Sequence, residues 1–498
     1  MNDVVDESVR NDEIELCDLC IVGAGIAGMN ALFAAVQYLA ADARVILIDR
    51  NPQIGGMWVD TYDYVRLHQP HRMFTAGNIP WELDQTPSYL ASKEEVIAHF
   101  TTCIEQLRTR VNLVERYGYT YVAHRETPLN DGSEVHIECV DESTQKPLLI
   151  KAEKCVKAFG FRVPKNKPLI FASTNVRSIS PHDSEMLSDE MTQSDEPIYV
   201  IGGGKTGMDT VHNLVTRYPH KHVNLIAGAG CVFASRDVSF PTGLSRWWGG
   251  QTTLEYFAEL CSRYDGDNTE EILHDFKQNR AVYLHDSCKQ YGFGVLSAQE
   301  NETISKGINE LFMDYLSDIT EVNGETTMVF RSGDTRKVEP NSWLINCTGY
   351  IMREEHPYEP FLSPHGAVVS IQASSGIHFL TTYAAYFTVH LFYLNKIREL
   401  PLYEINYHAL LRKDKVAFPF IAMTQVLYNI IHIMNAVPAK VMSDCGLDFE
   451  RWFPIHRRIF SVLKLKLRGH KYAKHYRNTL DTIARKYDVN CGVLKDIN

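Results

Sequence analysis

Two glycine-rich turns in this chain have the residue spacing that lets a backbone close around a pyrophosphate group. They read IVGAGIAGMNA at residues 21–31 and VIGGGKTGMDT at residues 200–210. Each turn follows an apolar run and opens a helical pattern, so the unpaired N–H groups of the helix start would face a bound anion. A glycine fingerprint alone is weak evidence, and the elements around each turn decide what it binds.

The first turn has the strand, helix and acid that a dinucleotide site requires. Gly23 permits the tight turn, Gly25 lets a pyrophosphate approach the backbone, and Gly28 lets the helix pack closely on the strand. The next predicted strand, ARVILID, ends at Asp49, 21 residues after Gly28. A carboxylate at this place accepts hydrogen bonds from an adenosine ribose, so the first turn predicts a dinucleotide site.

The second turn repeats this geometry with Gly202, Gly204 and Gly207 after the predicted strand PIYVI. Its GGGKT sequence does not have the spacing of an ATPase phosphate loop, because that motif needs a glycine where this chain has Tyr199. The second turn therefore predicts a second dinucleotide.

The strand after the second turn favours NADPH over NADH. This strand, HVNLIAG, ends at Ala227 and Gly228 without an acid. An acid at that position would repel the 2′-phosphate of NADPH. Arg236 and Lys221 are the candidate partners of that phosphate.

Two dinucleotides in one chain predict hydride transfer from a nicotinamide to a flavin, with FAD and NADPH as the cofactors. The alternative is a single-cofactor enzyme in which one turn is degenerate. The expected fold class is α/β, with two Rossmann-like dinucleotide-binding domains, the NADPH domain being inserted in the FAD domain, and a C-terminal helical extension.

The predicted domain boundaries follow the order of the motifs. They are 1–16 for a disordered acidic leader, 17–165 and 335–400 for the FAD domain, 166–334 for the NADPH domain with a helical insert near 240–330, and 401–498 for the helical extension. The uncharged stretch 417–439 is nearly long enough to cross a bilayer, but it contains proline, glutamine, asparagine and histidine. Such residues are costly in hydrocarbon, so we expect a buried or surface-docking helix there.

Charge and cysteine usage restrict the class of protein. The net charge of −11 argues against a general nucleic-acid binder. Residues 451–498 hold twelve Lys/Arg against three Asp/Glu, so this tail carries +9 and the remainder −20. The leader has no apolar run, and the eleven cysteines are scattered, which predicts a cytoplasmic protein with reduced thiols. Cys17 and Cys20 have redox spacing within a predicted strand and are expected to be buried core thiols.

Four further segments resemble flavin-containing and Baeyer–Villiger monooxygenases. The segments are GGMW (55–58), SYLASKEEVIAHF (88–100), KAFGFRVPKNKP (157–168) and LINCTGY (344–350). The resemblance covers roughly residues 17 to 400 in the right order. It implies that Gly56 and Trp58 lie near the inner half of FAD, and that the reduced flavin forms a C4a-hydroperoxide with O2.

The departures from that family are also specific. The stretch FASTNVR (171–177) has Ser173 and Arg177 where the family has glycine and histidine. A family asparagine near the flavin is replaced within RLHQPH (66–71), where Gln69 is the candidate flavin contact. No Cys-x-x-x-x-Cys pair follows the first glycine helix, which argues against the disulfide-reductase branch.

Lys205 stands in the second turn where flavin-containing monooxygenases commonly have asparagine. Three roles are open: contact with an NADPH phosphate or solvent, positioning of the nicotinamide, or reception of an oxidised halide. The last role has a family precedent in single-component flavin-dependent brominases, which make bromophenols from 4-hydroxybenzoate. In that interpretation Lys205 is catalytic, and the partners are a small aromatic substrate, O2 and bromide.

A phenolic substrate would need an aromatic pocket. The segment SRWWGG (245–250) offers Trp247 and Trp248, with Arg246 for a carboxylate, although core packing is the more ordinary role of such a pair. The histidines have no metal-ligand spacing, so no metal is expected. The alternatives to a monooxygenase are a reductase that serves a partner protein and a non-catalytic flavin-binding protein.

The basic end of the chain predicts an amphipathic helix. Its cations are interleaved with Trp452, Phe460, Leu463 and Leu465. Docking on the acidic remainder of the protein is preferred, and contact with an anionic membrane is the alternative.

Overall fold

A computed structural model describes residues 14–130, 132–161, 165–349, 352 and 356–493. Residues 1–13 of the predicted leader, residues 162–164 of the KAFGFRVPKNKP segment, Tyr350 and residues 494–498 lie outside this part of the chain. Residues 14–16, also assigned to the leader, begin the first strand instead.

The strands are β1 (Ile14–Val22), β2 (Arg44–Asp49), β3 (Asn112–Tyr117), β4 (Tyr119–Pro128), β5 (Ser133–Asp141), β6 (Pro147–Gly160), β7 (Arg177–Ile179), β8 (Ile198–Ile201), β9 (Val223–Ile226), β10 (Cys231–Ser235), β11 (Ala281–Tyr283), β12 (Gln290–Leu296), β13 (Leu311–Phe312), β14 (Leu316–Val322), β15 (Glu325–Phe330), β16 (Thr335–Lys337), β17 (Trp343–Asn346), β18 (Val368–Gln372), β19 (Tyr403–Ile405) and β20 (Cys491–Val493).

The helices are α1 (Ile26–Ala35), α2 (Met57–Asp60), α3 (Lys93–Arg108), α4 (Asp189–Gln193), α5 (Lys205–Arg217), α6 (Arg236–Ser239), α7 (Gly243–Trp248), α8 (Thr253–Cys261), α9 (Thr269–Arg280), α10 (Ala298–Gly307), α11 (Thr381–Tyr393), α12 (Tyr407–Lys413), α13 (Phe418–Ala436), α14 (Ala439–Ser443) and α15 (Ile455–Tyr487). Short 3₁₀ turns lie at His71–Met73, Ala373–Ser375 and Phe449–Trp452.

A mixed sheet and a parallel sheet confirm the predicted α/β fold class. The first sheet has the order β3-β2-β1-β6-β5-β4, with β18 paired to β6. Strand β1 runs parallel to both β2 and β6, and helix α1 packs over it against α11. The second sheet has the order β13-β9-β8-β17-β7 and is parallel throughout. Because β18 returns to the first sheet after β17, the second unit is inserted in the first.

The return to the first sheet comes later than the sequence indicated. The predicted boundary at residue 335 precedes β17, which pairs with β7 and β8 in the second sheet. The insert near 240–330 is also only partly helical. Strands β11 and β12 lie between α9 and α10, and β14, β15 and β16 then form an antiparallel sheet of their own.

The uncharged stretch 417–439, which the sequence predicted to be a buried or surface-docking helix, forms helix α13. It is buried in the helical C-terminal region, where the Gln425 amide donates to the carbonyl oxygens of Gly376 and Tyr403. Asn429 donates to the carbonyl oxygen of Ile377 at 2.7 Å. Among the described residues no helix is long and apolar enough to cross a membrane. The predicted buried helix is therefore confirmed, with the Gln425 and Asn429 side chains satisfied by backbone groups.

Candidate functional site

The first glycine turn is sterically restricted to glycine at two of its three positions. Gly23 has φ +111°, and a Cβ there would overlap the carbonyl oxygen of Ala158 on β6. A Cβ at Gly28 would overlap the carbonyl oxygen of Gly23, which brings α1 directly onto β1. Gly25 faces Gly56, whose φ is +55°. The turn thus has the close helix–strand approach of a dinucleotide loop.

Asp49 ties the end of β2 to the first turn. Its Oδ2 accepts a hydrogen bond from the N–H of Ala24 at 2.6 Å, and its Oδ1 accepts one from Asn51 at 2.8 Å. Burial raises the pKa of Asp49, while these two backbone donors favour the ionised form. Asp49 also lines a cavity, described below, where its remaining lone pairs can accept hydrogen bonds from a ligand.

The second turn repeats this construction on β8 and α5. Gly202 has φ +125°, and a Cβ there would lie 2.7 Å from the carbonyl oxygen of Cys347. A Cβ at Gly207 would overlap the carbonyl oxygen of Gly202. Gly204 is different, because a Cβ there would meet no atom within 4 Å. The protein leaves this place open at the helix N-terminus, where a dinucleotide phosphate binds in related folds.

Both turns open into one cavity of about 1200 Å³. Gly25, Asp49 and Gly56 line it from the first unit, and Gly204 and Lys205 line it from the second. Typical single-ligand pockets occupy roughly 300–1,000 Å³, so this cavity is larger than a pocket for one ligand. Because residues of both turns line it, the cavity connects the two predicted dinucleotide sites.

A short polar network links the two units between the turns. The Lys205 ammonium forms an ion pair with Asp209 one turn along α5. The Tyr62 hydroxyl donates to the other oxygen of Asp209 at 2.8 Å. Lys205 is about one-quarter exposed, and both it and Asp209 line the cavity. The ammonium at the second turn is thus held by a carboxylate.

A second link runs parallel to the first. The hydroxyl groups of Tyr64 and Thr210 lie 2.8 Å apart, and the Cys347 thiol donates to Thr210 at 3.4 Å. Burial raises the pKa of Cys347 to about 12, so the thiol stays protonated. These contacts fix the segment after α2 against α5.

Arg236 lies beside this network, but its charge is already paired. Its guanidinium forms an ion pair with Glu300 at 2.7 Å and donates to the carbonyl oxygen of His68 at 2.8 Å. Burial, together with Lys205 and Arg236, lowers the pKa of His68 to about 3 and keeps that ring neutral. Arg236 therefore lacks the free charge that a role at a 2′-phosphate would use.

The prediction that Lys221 binds the 2′-phosphate of NADPH was wrong. It precedes β9, at the end of the strand opposite to the second turn, and its ammonium donates to the carbonyl oxygen of Ser194. Dinucleotides bind beyond the carboxyl ends of parallel strands, so Lys221 is on the wrong side of the sheet.

Trp58 and Gln69, the candidate flavin contacts, both line the cavity. Trp58 is buried and packs against Phe74, with ring centroids 5.9 Å apart. The Oε1 atom of Gln69 is buried without a hydrogen-bond donor. A buried acceptor without a partner costs about 1–3 kcal/mol, so this atom fits a donor on a bound ligand.

The aromatic pocket predicted from SRWWGG does not form. Trp247 and Trp248 are 47% and 78% exposed and do not line the cavity. The guanidinium of Arg246 donates to the carbonyl oxygen of Trp452 at 2.7 Å. The prediction failed because the pair lies on the outer side of α7.

The cavity instead continues into an apolar chamber built from the insert and the C-terminal region. Its walls include Leu254, Phe257, Phe293, Phe379, Leu427 and Ile430. Helix α13 supplies part of this wall, because its apolar residues surround it on all sides. Sequence analysis missed this contribution, since α13 is distant along the chain from both turns.

Glu450 is a buried acid that lines the same cavity. It is 2% exposed, and its Oε1 accepts the N–H of Leu254 at 2.9 Å. Burial raises the pKa of Glu450 to about 7. An isolated glutamate in the sequence gave no signal for this environment.

A basic residue near the end of β9 was also missed. Gly228 packs against the ring of Tyr315, and the Arg331 guanidinium lies 4.2 Å from the centroid of that ring. Arg331 is exposed. It lies about a hundred residues beyond β9 in sequence, so no local motif points to it.

The cysteines show no redox pairing. All eleven are free. Cys20 is buried and Cys17 half-buried on β1, and burial raises the pKa of Cys17 to about 12. The expectation of core thiols is confirmed for Cys20.

One protein-family model matches the part of the chain that contains the two turns. Residues 17–239 match the family model of the pyridine nucleotide-disulphide oxidoreductases. The matched range contains both glycine turns and ends with α6. That family depends on FAD and NAD(P), in agreement with the cofactors expected from the sequence.

Curated relatives match only part of the chain. Uncharacterized proteins of Mycobacterium tuberculosis and Mycobacterium bovis are 27% identical over 202 residues, which is 39% of this chain and 34% of theirs. The chain thus spans about a third of the length of the curated relatives it matches.

Solved structures of flavin monooxygenases are similar to this chain at low sequence identity. The cadaverine monooxygenase DfoA of Erwinia amylovora, bound to FAD, is 13% identical, covering 77% of this chain and 95% of its own, with a TM-score of 0.48. A flavin-containing monooxygenase of Stenotrophomonas maltophilia is 13% identical, covering 76% and 99%, with a TM-score of 0.42.

Proposed function

We propose that this protein is an FAD- and NADPH-dependent oxidoreductase of the monooxygenase type. The observation that carries the proposal is the single cavity lined by both glycine turns. Gly23, Gly25, Gly28 and Asp49 would hold the adenosine half of FAD. Bound FAD would accept a hydride from NADPH and pass electrons to oxygen.

The inner half of FAD would lie beside Gly56, Trp58 and Gln69. The unpaired Oε1 of Gln69 supports this, because the edge of a flavin carries N–H groups that can donate to it. Gly56 supports it because it lines the same cavity and packs on the first turn, where a Cβ at Gly56 would lie only 2.7 Å from the Cα of Gly25.

NADPH would bind at Gly202, Gly204 and Gly207. The open place at Gly204 supports a pyrophosphate at this turn. Arg331 replaces Arg236 and Lys221 as the proposed partner of the 2′-phosphate, since its guanidinium is exposed beside the end of β9. Lys205 would position NADPH through its ion pair with Asp209, whose other oxygen is held by Tyr62.

The apolar chamber supports oxygenation of a small molecule over electron delivery to a partner protein. A chamber that joins the cofactor cavity can hold a substrate beside the flavin and keep water away from it. A reductase for a protein partner would need no such space.

Halogenation remains a hypothesis that rests on Lys205. Decarboxylating bromination of 4-hydroxybenzoate would require the Lys205 ammonium to receive an oxidised halide. Its ion pair with Asp209 and the outward position of Trp247 and Trp248 favour oxygenation instead.

Product analysis tests the proposal. The flavin-loaded protein is incubated with NADPH, isotopically labelled O2 and a panel of small apolar and phenolic compounds, with and without bromide. We expect one labelled oxygen atom in a product. Bromophenols that require bromide would assign halogenation. Fast reduction of artificial acceptors with no labelled or brominated product would identify a reductase and contradict the proposal.

A further inference from the structure

Exposed apolar side chains are concentrated on two adjoining helices. More than half of the large apolar residues that are exposed in the described part of the chain lie on α7 and α15. They are Leu244, Trp247, Trp248, Ile455, Ile459, Phe460, Leu463 and Leu467. We call this set the apolar surface. Its most exposed members are Leu467 at 87%, Leu244 at 80% and Trp248 at 78%.

Polar contacts hold the two helices together as one surface. Arg457 of α15 donates to the carbonyl oxygens of Arg246 and Gly250 at 3.1 and 2.6 Å. The ring of His456 lies 5.3 Å from the ring of Trp248. These contacts fix the backbone of α7 against the start of α15, so the tryptophans are presented at defined positions.

The inner face of α15 is already packed on the protein. Ser461, Leu465, Gly469 and Tyr476 are buried, and the helix contacts α8 and α13. The apolar residues of the outer face repeat at helical spacing along the opposite side. The sequence predicted that this helix docks on the protein itself. That prediction accounts for the inner face of α15, while the described residues leave the outer face uncovered.

The charge around the apolar surface is positive and would attract anionic lipid. Residues 455–474 contain seven Lys/Arg and no Asp/Glu, although the whole chain carries −11. Lys466 beside Leu467, and Lys471 and Lys474 after it, are exposed. Apolar side chains with tryptophan, bordered by lysines, are typical of helices that lie in a membrane interface.

The apolar chamber lies beneath the same helix. Val462, on α15 next to the exposed Leu463, lines the cavity, and so does Leu254 at the start of α8. A membrane would account for both the apolar surface and the chamber. The surface would rest on the lipid, and the chamber lies on the inner side of the same helix.

We propose that the apolar surface docks the protein on an anionic lipid bilayer. Trp247, Trp248 and Leu467 enter the boundary between headgroups and acyl chains, and Lys466 and Lys471 contact the headgroups. The protein rests on the membrane without crossing it. This proposal does not depend on the redox activity.

Vesicle flotation of the full-length, flavin-loaded protein tests the proposal. The vesicles contain phosphatidylcholine alone or mixed with phosphatidylglycerol. We expect flotation with the mixed vesicles, weaker flotation with phosphatidylcholine alone, and release at high salt. The triple variant Trp248→Ser/Phe460→Ser/Leu467→Ser should lose about tenfold or more in vesicle partitioning.

The variant Ile170→Ser is the matched control, since Ile170 is 98% exposed but lies outside the apolar surface. It should float like the wild type. Equal flotation of the triple variant and the wild type would overturn the proposal, as would no flotation of the wild type with either vesicle. A wild type that forms dimers in size-exclusion chromatography, does not float, and becomes monomeric in the triple variant would assign the surface to self-association. NADPH oxidation measured in parallel separates this outcome from failure of the proposed function.

Discussion

The hydroxyl group of Tyr62 donates a hydrogen bond of 2.8 Å to the Oδ2 atom of Asp209, whose other carboxylate oxygen accepts from Lys205. Tyr62 follows the GGMW segment of the first unit, and Asp209 lies on the helix of the second glycine turn. Burial and the neighbouring Asp209 raise the pKa of Tyr62 well above its ordinary value, so it remains a donor. The two cofactor units are thus joined through one carboxylate.

Removing this carboxylate should slow hydride transfer without releasing the flavin. Asp209→Asn weakens the bonds to Lys205 and Tyr62, each a bond to a charged group worth about 1.5–3 kcal/mol. We expect the rate of flavin reduction by NADPH to fall about tenfold, measured by stopped-flow absorbance. Lys306→Met, which breaks the exposed ion pair with Glu302 on α10, is the control and should leave the rate unchanged. An unchanged rate in Asp209→Asn would assign the network to structure alone.

The open position at Gly204 provides a separate test of the NADPH turn. Because a Cβ there meets no protein atom within 4 Å, Gly204→Ala should keep the melting temperature and the flavin content. The added methyl group would stand where a pyrophosphate must approach. We expect KM for NADPH to rise about tenfold or more, measured by steady-state NADPH oxidation. A normal KM in a folded variant would place the pyrophosphate elsewhere.

Arg331 should decide the preference for NADPH over NADH. Its exposed guanidinium beside Tyr315 can form a charge-assisted bond to a 2′-phosphate. Arg331→Ala should weaken NADPH binding about tenfold and leave NADH binding unchanged, measured by titration of both nucleotides. Arg336→Ala, at an exposed position of β16, is the matched control. Equal losses for both nucleotides in Arg331→Ala would rule out 2′-phosphate recognition by this residue.

Glu450 should make stability depend on pH. Its pKa is about 7 in the folded protein, against about 4.3 in an unfolded chain, so the folded state holds a proton that the unfolded state releases. Glu450 therefore lowers the free energy of unfolding as pH rises from about 4.5 to 7, by about 3 kcal/mol in total. The half-buried Asp448, whose pKa is also raised by desolvation, acts in the same direction.

The variant Glu450→Gln should lose this part of the pH dependence, measured by denaturant unfolding at pH 5 and pH 8. Glu153→Gln, at an exposed position of β6, should behave like the wild type. The same difference between the two pH values in Glu450→Gln and the wild type would show that Glu450 is ionised when folded.

The parts of the site that the sequence predicted depend on local backbone geometry. Gly23 and Gly202 need positive φ and close approach to a neighbouring strand, and such needs appear directly as residue type and spacing. Asp49 follows because it ends the next strand of the same unit. The buried helix α13 was also predictable, because its polar residues are costly in a bilayer.

The parts that were missed depend on partners far away in the chain. The role of Arg236 is set by Glu300, 64 residues later, and that of Arg331 by its position beside β9. Trp247 and Trp248 have the composition of a pocket, but tertiary packing turned them outward. Local spacing carries no information on which distant side chain neutralises a charge or covers a ring.

Anaerobic reduction of the bound flavin tests the central claim, that one cavity brings FAD and NADPH together. NADPH is added to the yellow purified protein without oxygen, and the visible absorbance of oxidised flavin is followed. We predict rapid bleaching by NADPH, slower bleaching by NADH, and recovery of the absorbance when air is admitted. A protein that binds no flavin, or whose bound flavin stays oxidised with saturating NADPH, would contradict the account.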